Sequence, residues 1–524
     1  MTDISITAKK ALDMLNRSGY EAYVVGGMVR NSLMGIETGD IDITTNALPQ
    51  QIKAVFDGYN VIETGIQHGT VTVIIDSTPV EITTYRTESG YADNRHPDSV
   101  NFTTSLMADC SRRDFTVNAI CYNPQKGIVD YFGGIKDIEN RTIRSVGDPD
   151  TRFREDALRI LRAVRFASVL NFEIEENTKT AIFKNRQLLQ NVSAERIYNE
   201  LTKMLLGKNI RQTILEYAEV IGVVIPEIIP AIGFDQQNIH HIYDVLEHTA
   251  VAVESCPPVP VLRWAALLHD LGKPDCFTID ENGTGHFYGH GNISHIHAEN
   301  ILKRLKVSNE DYNTITKLVK YHDNYIETNE KAVRRALNRY GEDFLRLLLV
   351  LKRADNAGQN IQLFNRKEEY DTLEELINNV IEKQQCFSLK QLAVNGDDLS
   401  AIGIPPSKET GLILNRLLEM VINGDIPNEK AILLAEAARE ECGLDEILFM
   451  PSGHSYMKNE SEIADNKTRI DMTSLAIEDN AAFALSTIET EREGATYTCE
   501  TLAVLNERHP EIKFYFIMGI IQKV

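Results

Sequence analysis

The sequence predicts a multidomain α+β protein: an α/β head, a long run of mostly helical domains, and a partial Rossmann-like α/β fragment. Three observations predict it. In residues 1–140, β-branched runs with polar alternation, such as Thr70-Val71-Thr72-Val73-Ile74-Ile75 and Val80-Glu81-Ile82-Thr83-Thr84-Tyr85, alternate with helical segments. From residue 141, apolar residues recur at helical spacing, as at Leu158, Leu161, Val164 and Ala167, with breaks at Pro226, Pro257-Pro258 and Pro405-Pro406. Near the end, Leu444 to Gly453 and Phe514-Tyr515-Phe516-Ile517-Met518-Gly519 read as buried parallel strands closing in glycine turns. A chain of 524 residues holds several such cores. The expected boundaries are 1–140 for the head, 141–210 for a helical neck, 211–380 for a helical body, 381–431 for a helical tail and 432–524 for the last fragment.

Composition narrows the setting. Charged residues make up 25%, and the net charge of −22 argues against broad nonspecific nucleic-acid binding while leaving room for a local basic patch. The seven cysteines include no Cys-x-x-Cys pair and follow no secretory prefix, which suits reduced thiols in a cytoplasm. No 18-residue apolar run offers a membrane span, and no short-period repeat occurs. Oligomeric state leaves no signal.

The head carries the first chemistry. Tyr23-Val24-Val25 reads as a strand feeding Gly26-Gly27-Met28-Val29-Arg30, and Asp40-Ile41-Asp42 follows ten residues later. Paired glycines after a strand let a phosphate approach the backbone, where the next helix supplies N–H donors. In an Asp-x-Asp on a strand both carboxylates face one side, a costly arrangement unless a divalent cation sits between them. Glu81, on another strand-like run, is placed to complete the clamp, though it also fits an ordinary polar strand position. The order and spacing imply transfer of nucleotidyl groups by two-metal chemistry.

Arginines carry the second. Arg112-Arg113-Asp114-Phe115-Thr116-Val117-Asn118-Ala119 sets two guanidiniums beside an Asp and an Asn, as a phosphate grip or a surface salt-bridge cluster. Residues 141–170 hold seven arginines, no lysine and four acids. On a helix, Asp156, Arg159 and Arg162 are three apart and share a face with Arg165. The alternative is an exposed salt-bridged helix. An Asp/Arg pair suits one kind of base edge: Asp accepts from an exocyclic amine while Arg donates to a ring nitrogen. Cytosine and adenine offer that edge. Uracil and guanine place a carbonyl against the carboxylate, at a cost of about 1–3 kcal/mol per unpaired group. Such a pair takes CTP and ATP and refuses UTP and GTP without a template.

On the stretches Gly26 to Asp42, Arg112 to Ala119, Asp130-Tyr131-Phe132-Gly133-Gly134, Glu155 to Arg165 and Glu195-Arg196-Ile197, residues 20–210 resemble the bacterial-class tRNA nucleotidyltransferases, the CCA-adding enzymes. The resemblance implies a polymerase-beta-like head and addition of C, C and A to the 3′ end of tRNA. It implies Asp40 and Asp42 as Mg²⁺ ligands and Gly27 and Arg30 as triphosphate contacts. It also implies Arg113, Asp156, Arg159, Arg162 and Arg165 as nucleotide-binding residues, with Asp156 and Arg159 reading the base. A poly(A) polymerase resembles the same head motifs. The histidine–aspartate insert below and the lack of a strongly basic tail favour CCA addition.

In the body, His248 precedes Ala265-Ala266-Leu267-Leu268-His269-Asp270-Leu271-Gly272-Lys273-Pro274, and Asp355 lies in Arg353-Ala354-Asp355-Asn356-Ala357. Such an ordered His/Asp set makes a mixed nitrogen–oxygen divalent site, although any one of these histidines alone reads as a polar core residue. The region resembles the HD phosphohydrolase superfamily, which implies His248, His269, Asp270 and Asp355 as ligands of a second divalent metal, with His290 and His322 along the same cleft. A phosphatase or cyclic phosphodiesterase activity is the corresponding alternative to a scaffold role. Ile402-Gly403-Ile404-Pro405-Pro406-Ser407 and Ile422 to Asn428 resemble the tail of the CCA enzymes.

The last segment resembles nicotinate-nucleotide adenylyltransferase on Leu444 to Gly453, Lys467 to Met472, Ser486-Thr487-Ile488-Glu489 with Arg492-Glu493-Gly494, and Thr496 to Leu502. The family's Gly-rich His-x-Gly-His opening belongs just before Leu433-Leu434-Ala435-Glu436, where this chain has Pro427-Asn428-Glu429-Lys430-Ala431. A truncated fragment, also lacking the distal ATP-binding helix, is therefore expected to have no adenylyltransferase activity.

Overall fold

The computed structural model of the protein describes residues 4–517 except 38, 64, 91–98, 454–463, 479, 493 and 495. Glu493, Met518 and Gly519 lie outside the described residues. The chain forms two compact units, Met1–Asn324 with Leu347–Arg366, and Tyr325–Arg346 with Lys367–Val524.

The first unit opens with strands β1 (Ala22–Val25), β2 (Ile41–Thr45), β3 (Asn60–Ile62), β4 (Thr70–Ile75), β5 (Thr78–Thr84), β6 (Arg86–Ser89), β7 (Ser99–Phe102), β8 (Cys121–Asn123) and β9 (Gly127–Val129). Seven of them form one sheet in the order β3-β4-β5-β2-β1-β8-β9, while β6 and β7 pair separately. Alternation builds the sheet's inner face. Val71, Val73 and Ile75 of β4, Val80 and Ile82 of β5, and Ile41 and Ile43 of β2 are buried against Ala8, Ala11, Leu12 and Leu15 of helix Ile6–Arg17. Each such aliphatic side chain contributes about 1.5–3 kcal/mol on full burial. Strand β2 runs parallel to β5, which sets Asp42 directly beside Glu81. Strand β1 ends at Gly26, whose φ of +76° only glycine adopts cheaply, and helix Gly27–Leu33 starts at once.

The sequence pattern places both Asp40 and Asp42 on a strand. The structure begins β2 at Ile41, so Asp40 sits on the exposed approach and only Asp42 is fixed by the sheet. A second correction concerns Asp156, expected on one helix face with Arg159 and Arg162. Helix Pro149–Glu155 stops, and Leu158–Leu170 starts afresh. Asp156 has φ −135° and ψ 103°, and its Oδ1 accepts the Leu158 N–H at 3.2 Å. An Asp that satisfies a nearby backbone amide competes with helix continuation.

Helix Leu158–Leu170 packs along Ala194–Leu205. The crossing is tight at Gly207, where an added Cβ would lie 2.6 Å from the Ser168 carbonyl carbon. Ser168 also donates its hydroxyl to the Met204 carbonyl at 2.7 Å. Further along, helices Val245–Ser255, Pro260–Leu268, His290–Arg304 and Asn309–Tyr321 complete the unit together with residues 347–357 of helix Glu342–Ala357.

In the second unit, helices Gly396–Ala401, Lys408–Asn423 and Lys430–Cys442 share a core with the last segment through Leu417, Leu418, Ile422, Leu433, Ile447, Ile477 and Phe483. Ile447–Phe449 and Phe483–Leu485 pair in parallel, with helix Asn466–Ile477 between them in sequence, as the strand expected over Leu444 to Gly453 requires. Phe514 to Ile517 do not form the expected buried strand. Among the described residues only those two strands pair in this sheet; Ile517 packs against the core, while Tyr515 and Phe516 are 57% and 50% exposed. Among the described residues, no helix is long and apolar enough to cross a membrane.

Replacing Gly207 by Ala forces backbone to move against backbone. Urea unfolding of Gly207→Ala is expected to show a loss of about 2 kcal/mol, the ordinary cost of overpacking.

Candidate active site

Strand β2 delivers Asp42, half-buried, and the parallel register lays exposed Glu81 beside it. Burial, then Glu81, raises the Asp42 carboxyl; Asp40 adds to the rise and Arg113 opposes it. Crowded carboxylates behave this way, and a divalent cation relieves them, so the donor set suits a hard metal ion. Among the described residues, the groups of three or more with ligand atoms within 4.8 Å do not include these acids. At the turn, an added Cβ on Gly26 would lie 3.6 Å from Asp42 Oδ2 and 3.9 Å from Arg113 Nη1, so the glycine separates acid from base. The same construction on Gly27 falls 3.6 Å from Arg30 Nη2.

Arg113 is aimed by a residue that the sequence pattern does not single out. Asp109, fully buried, accepts from Arg112 Nε and Nη2 at 3.0 and 2.8 Å through Oδ1. Its Oδ2 accepts from the Thr44 hydroxyl at 2.9 Å and from Arg113 Nη2 at 3.3 Å. Thr44 lies two residues beyond Asp42 on β2, so one carboxylate ties both arginines to the strand that carries Asp42. Burial raises the Asp109 pKa, but Arg112 and Arg113 outweigh it and hold the group below the usual carboxylate range. The only sequence signal is its i+3 and i+4 spacing to the two arginines.

The neck arginines meet the head. Arg159 donates to Glu155 Oε2 at 2.8 Å and to the Arg112 carbonyl at 2.9 Å. Arg162 grips Asp114 Oδ2 through Nε at 2.8 Å and Nη2 at 2.6 Å. Arg165 pairs with Glu200 at 3.1 Å, and Arg196 with Asp156 at 3.1 Å. Arg30, buried at the end of the Gly-Gly turn, donates to Asn31 Oδ1 at 3.0 and 2.9 Å and to Asn118 Oδ1. The Gly26-Gly27 turn thus has Asp42 and Arg113 at its first glycine and Arg30 at its second, and Arg30 joins Arg162 and Arg165 around Phe166 in one linked set of groups. Asp156 and Arg159 stand at its neck side, each held by an ion pair. Sequence reasoning missed Glu200 and Phe166, which are legible only as members of helix patterns. The Asp130-Tyr131-Phe132-Gly133-Gly134 stretch acts locally. There Asp130 accepts the Gly134 and Ile135 N–H groups, both at 2.9 Å, and starts helix Gly134–Glu139.

Asp114 shows how head and neck are coupled. Burial alone would raise its pKa, yet Arg162 and the Asn118 amide hold it well below the usual carboxylate range. A depressed folded value stabilises above the unfolded value of about 3.9 and loses that contribution as pH falls through the folded value. Asp114→Asn is therefore expected to unfold about 2 kcal/mol more easily than the parent at pH 7, with the gap shrinking below pH ~4 in denaturant titrations.

A second cluster lies in the body. His248 Nε2 stands 3.1 Å from Asp270 Oδ2 and 3.0 Å from Asp355 Oδ1; His269 Nε2 stands 3.3 and 3.6 Å from the same atoms. All four predicted residues come together. His290 and His322 join them, with Nε2 atoms 3.4 and 3.6 Å from Asp270 Oδ1. Ligand atoms fall into two groups within 4.8 Å, one of His248, His269, Asp270 and Asp355, the other of Asp270, His290 and His322. Asp270 belongs to both. Each imidazole donates Nδ1–H to a backbone carbonyl, of Gly358, Ala266, Phe287 and Val319 respectively, which turns every Nε2 lone pair inward. Lys273, missed by sequence reasoning, bonds Asp270 Oδ2 at 2.7 Å and Gln236 Oε1 at 2.9 Å.

Family models match the chain in four stretches: the poly A polymerase head domain over residues 22–144, a probable RNA- and SrmB-binding site of polymerase A over 171–230, a putative tRNA nucleotidyltransferase domain 2 over 286–437, and a cytidylyltransferase-like model over 432–523. The CCA-adding enzyme of Ligilactobacillus salivarius strain UCC118 is 36% identical over 437 residues, covering 82% of this chain and 96% of its own length. That of Enterococcus faecalis strain V583 is 33% identical over 427 residues, 81% of this chain and 94% of its own. The crystal structure of the Bacillus stearothermophilus CCA-adding enzyme in complex with CTP superposes with a TM-score of 0.64 at 28% identity, covering 83% of this chain and 97% of that one. Helical continuation beyond a polymerase-type head, and identity sustained across both, make this chain a member of the CCA-adding enzyme family.

Proposed function

We propose that the protein adds C, C and A to the 3′ end of tRNA without a template, using CTP and ATP. The observation that carries this reading is the Gly26-Gly27 turn, which has Asp42, beside Glu81, and Arg113 at its first glycine and Arg30, grouped with Arg162 and Arg165 around Phe166, at its second. Asp40 and Asp42, with Glu81 beside them, would hold Mg²⁺, which when bound supplies Lewis-acid stabilisation of the entering and leaving oxygens. The chain's own groups do the rest. Arg30, Arg113, Arg162 and Arg165 seat the triphosphate against the Gly27 backbone, fixing the α-phosphorus for in-line attack. The tRNA 3′-oxygen bonds to that phosphorus as pyrophosphate leaves. Asp156 and Arg159 read the base, and Arg196 orients Asp156. The family's head motifs are shared with poly(A) polymerases, but relatives matching along most of this chain are CCA-adding enzymes. The seven free thiols suit a cytoplasmic setting.

Incubation with tRNA lacking its 3′ end and with CTP, ATP or both, followed by sequencing, is expected to show C, C and A added; absence of CTP incorporation refutes the reading. Asp42→Ala is expected to lose at least about a thousandfold in transfer while binding tRNA as before. Undiminished turnover would remove the metal clamp.

A second reading concerns the body, which we read as an HD-type domain. Four imidazoles with fixed inward Nε2 atoms and two aspartates fit one or two divalent ions, with Asp270 shared. Such ions, when bound, activate water for phosphoester hydrolysis. Lys273, beside Asp270, holds a positive charge where a substrate phosphate would lie. Release of phosphate from p-nitrophenyl phosphate with Mn²⁺, Co²⁺ or Ni²⁺, lost in His269→Ala, is the expected result. A parent protein inert with all three metals supports a scaffold instead. The cytidylyltransferase-like segment from 432 we read as part of a nicotinate-nucleotide adenylyltransferase-type fold; its parallel strand–helix–strand arrangement supports this.

A further inference from the structure

Three guanidiniums converge on one aromatic ring. Phe166, in helix Leu158–Leu170, is buried with its centroid 4.1 Å from the guanidinium carbon of Arg165, 5.1 Å from that of Arg30 and 5.7 Å from that of Arg162. The ring also meets that of Phe115, edge-on at 5.7 Å and 82°, which fixes the plane that the arginines meet. Arg30 comes from the head, next to the Gly-Gly turn, while Arg162 and Arg165 come from the neck. Carboxylates answer only part of this charge: Asp114 pairs with Arg162 and Glu200 with Arg165, whereas Arg30 donates to two amide oxygens. One positive charge in the group therefore has no anionic partner among these contacts.

We propose that Phe166 is a positioning residue whose ring gathers Arg30, Arg162 and Arg165 into a single cradle with surplus positive charge for the polyphosphate of the incoming nucleotide. The electron-rich ring face attracts each guanidinium and places no formal negative charge in the site, so nothing competes with the phosphates. A carboxylate in the same place would gather the arginines but cancel the surplus. The ring also touches both head and neck, bringing Arg30 of the one to Arg162 and Arg165 of the other. A polyphosphate carries no base, so this role is separable from that of Asp156 and Arg159.

The inference rests on the nucleotidyl-transfer reading, and inorganic triphosphate separates the two. Calorimetry on the full chain is expected to show Phe166→Leu binding inorganic triphosphate about tenfold more weakly than the parent, while Phe166→Tyr, which keeps the ring, stays within about twofold. The KM values for CTP and ATP should rise in parallel in the Leu variant, with kcat changed less and the preference for CTP over UTP unaltered. Triphosphate binding by Phe166→Leu equal to the parent's, a Tyr variant as weak as the Leu variant, or a loss of CTP-over-UTP preference instead would each overturn the proposal. Thermal unfolding accompanies each measurement; if Phe166→Leu does not fold, Phe166→Met takes its place under the same criteria. A parent protein that transfers no nucleotide would instead count against the underlying reading.

Discussion

Seating Arg30, Arg162 and Arg165 side by side in a buried site costs free energy, because each guanidinium is desolvated in the field of the others. Arg30 registers that cost: burial above all, with Arg165 and Arg162, lowers its pKa to about 10 against the pull of Asp114. The site persists because the opposing groups are placed by different elements. Asp114 and Asn118 come from the head segment after Arg112–Arg113, Glu200 from helix Ala194–Leu205, and Phe166 from between the arginines themselves. No one element builds the cradle alone. Head and neck must close on each other to offset the repulsion, so the charge arrangement doubles as the force that fixes their register.

The acids on the other side of the site follow the same logic with the sign reversed. Asp42 is raised by burial and by Glu81, a neighbour imposed by the β2–β5 register. Asp109 prevents collapse of the two charge sets onto each other. By holding Arg112, Arg113 and Thr44 at once, it keeps Arg113 close enough to temper Asp42 and too well anchored to neutralise it. Arginine suits this position better than lysine, since Nη2 can bond Asp109 while Nη1 of the same planar group stays at the Gly26 turn.

What the sequence disclosed was mainly local. Gly26-Gly27 followed by Arg30, the Asp40/Asp42 pair and the lysine-free arginine run are read from neighbours within a turn or a strand. The His/Asp set in the body was legible because imidazole and carboxylate have few other reasons to recur in that order. Pairings across long separations were not: Thr44 meets Asp109 across 65 residues, and Arg162 meets Asp114 across 48. The misplacement of Asp156 has a related cause. A three-residue spacing is compatible with a helix face, but the bond from the Leu158 N–H to the Asp156 side chain ends the helix, and spacing alone does not register that competition.

The body cluster shows how helix ends can aim imidazoles at buried carboxylate oxygens. His269 and His322 sit just past the ends of helices Pro260–Leu268 and Asn309–Tyr321, and each donates Nδ1–H to the carbonyl three residues back. His290 does the same to Phe287. These carbonyls accept and cannot donate, so Nδ1 carries a proton and Nε2 is the atom turned to the carboxylates, donating when the imidazole is charged and free to ligate when it is neutral. The consequence is two close approaches between inward-facing nitrogens, His248 Nε2 to His269 Nε2 at 3.2 Å and His290 Nε2 to His322 Nε2 at 3.0 Å. Two lone pairs at such distances repel unless a cation, a proton or a metal ion, lies between or beside them. Asp270 and Asp355 supply the compensating negative charge: burial would raise their pKa values, but His269 and Lys273 at the one, and His248 and His269 at the other, hold both well below the usual range. The two centres of this unit thus solve opposite problems, one gathering three guanidiniums around an aromatic ring and the other gathering four imidazoles around two carboxylates.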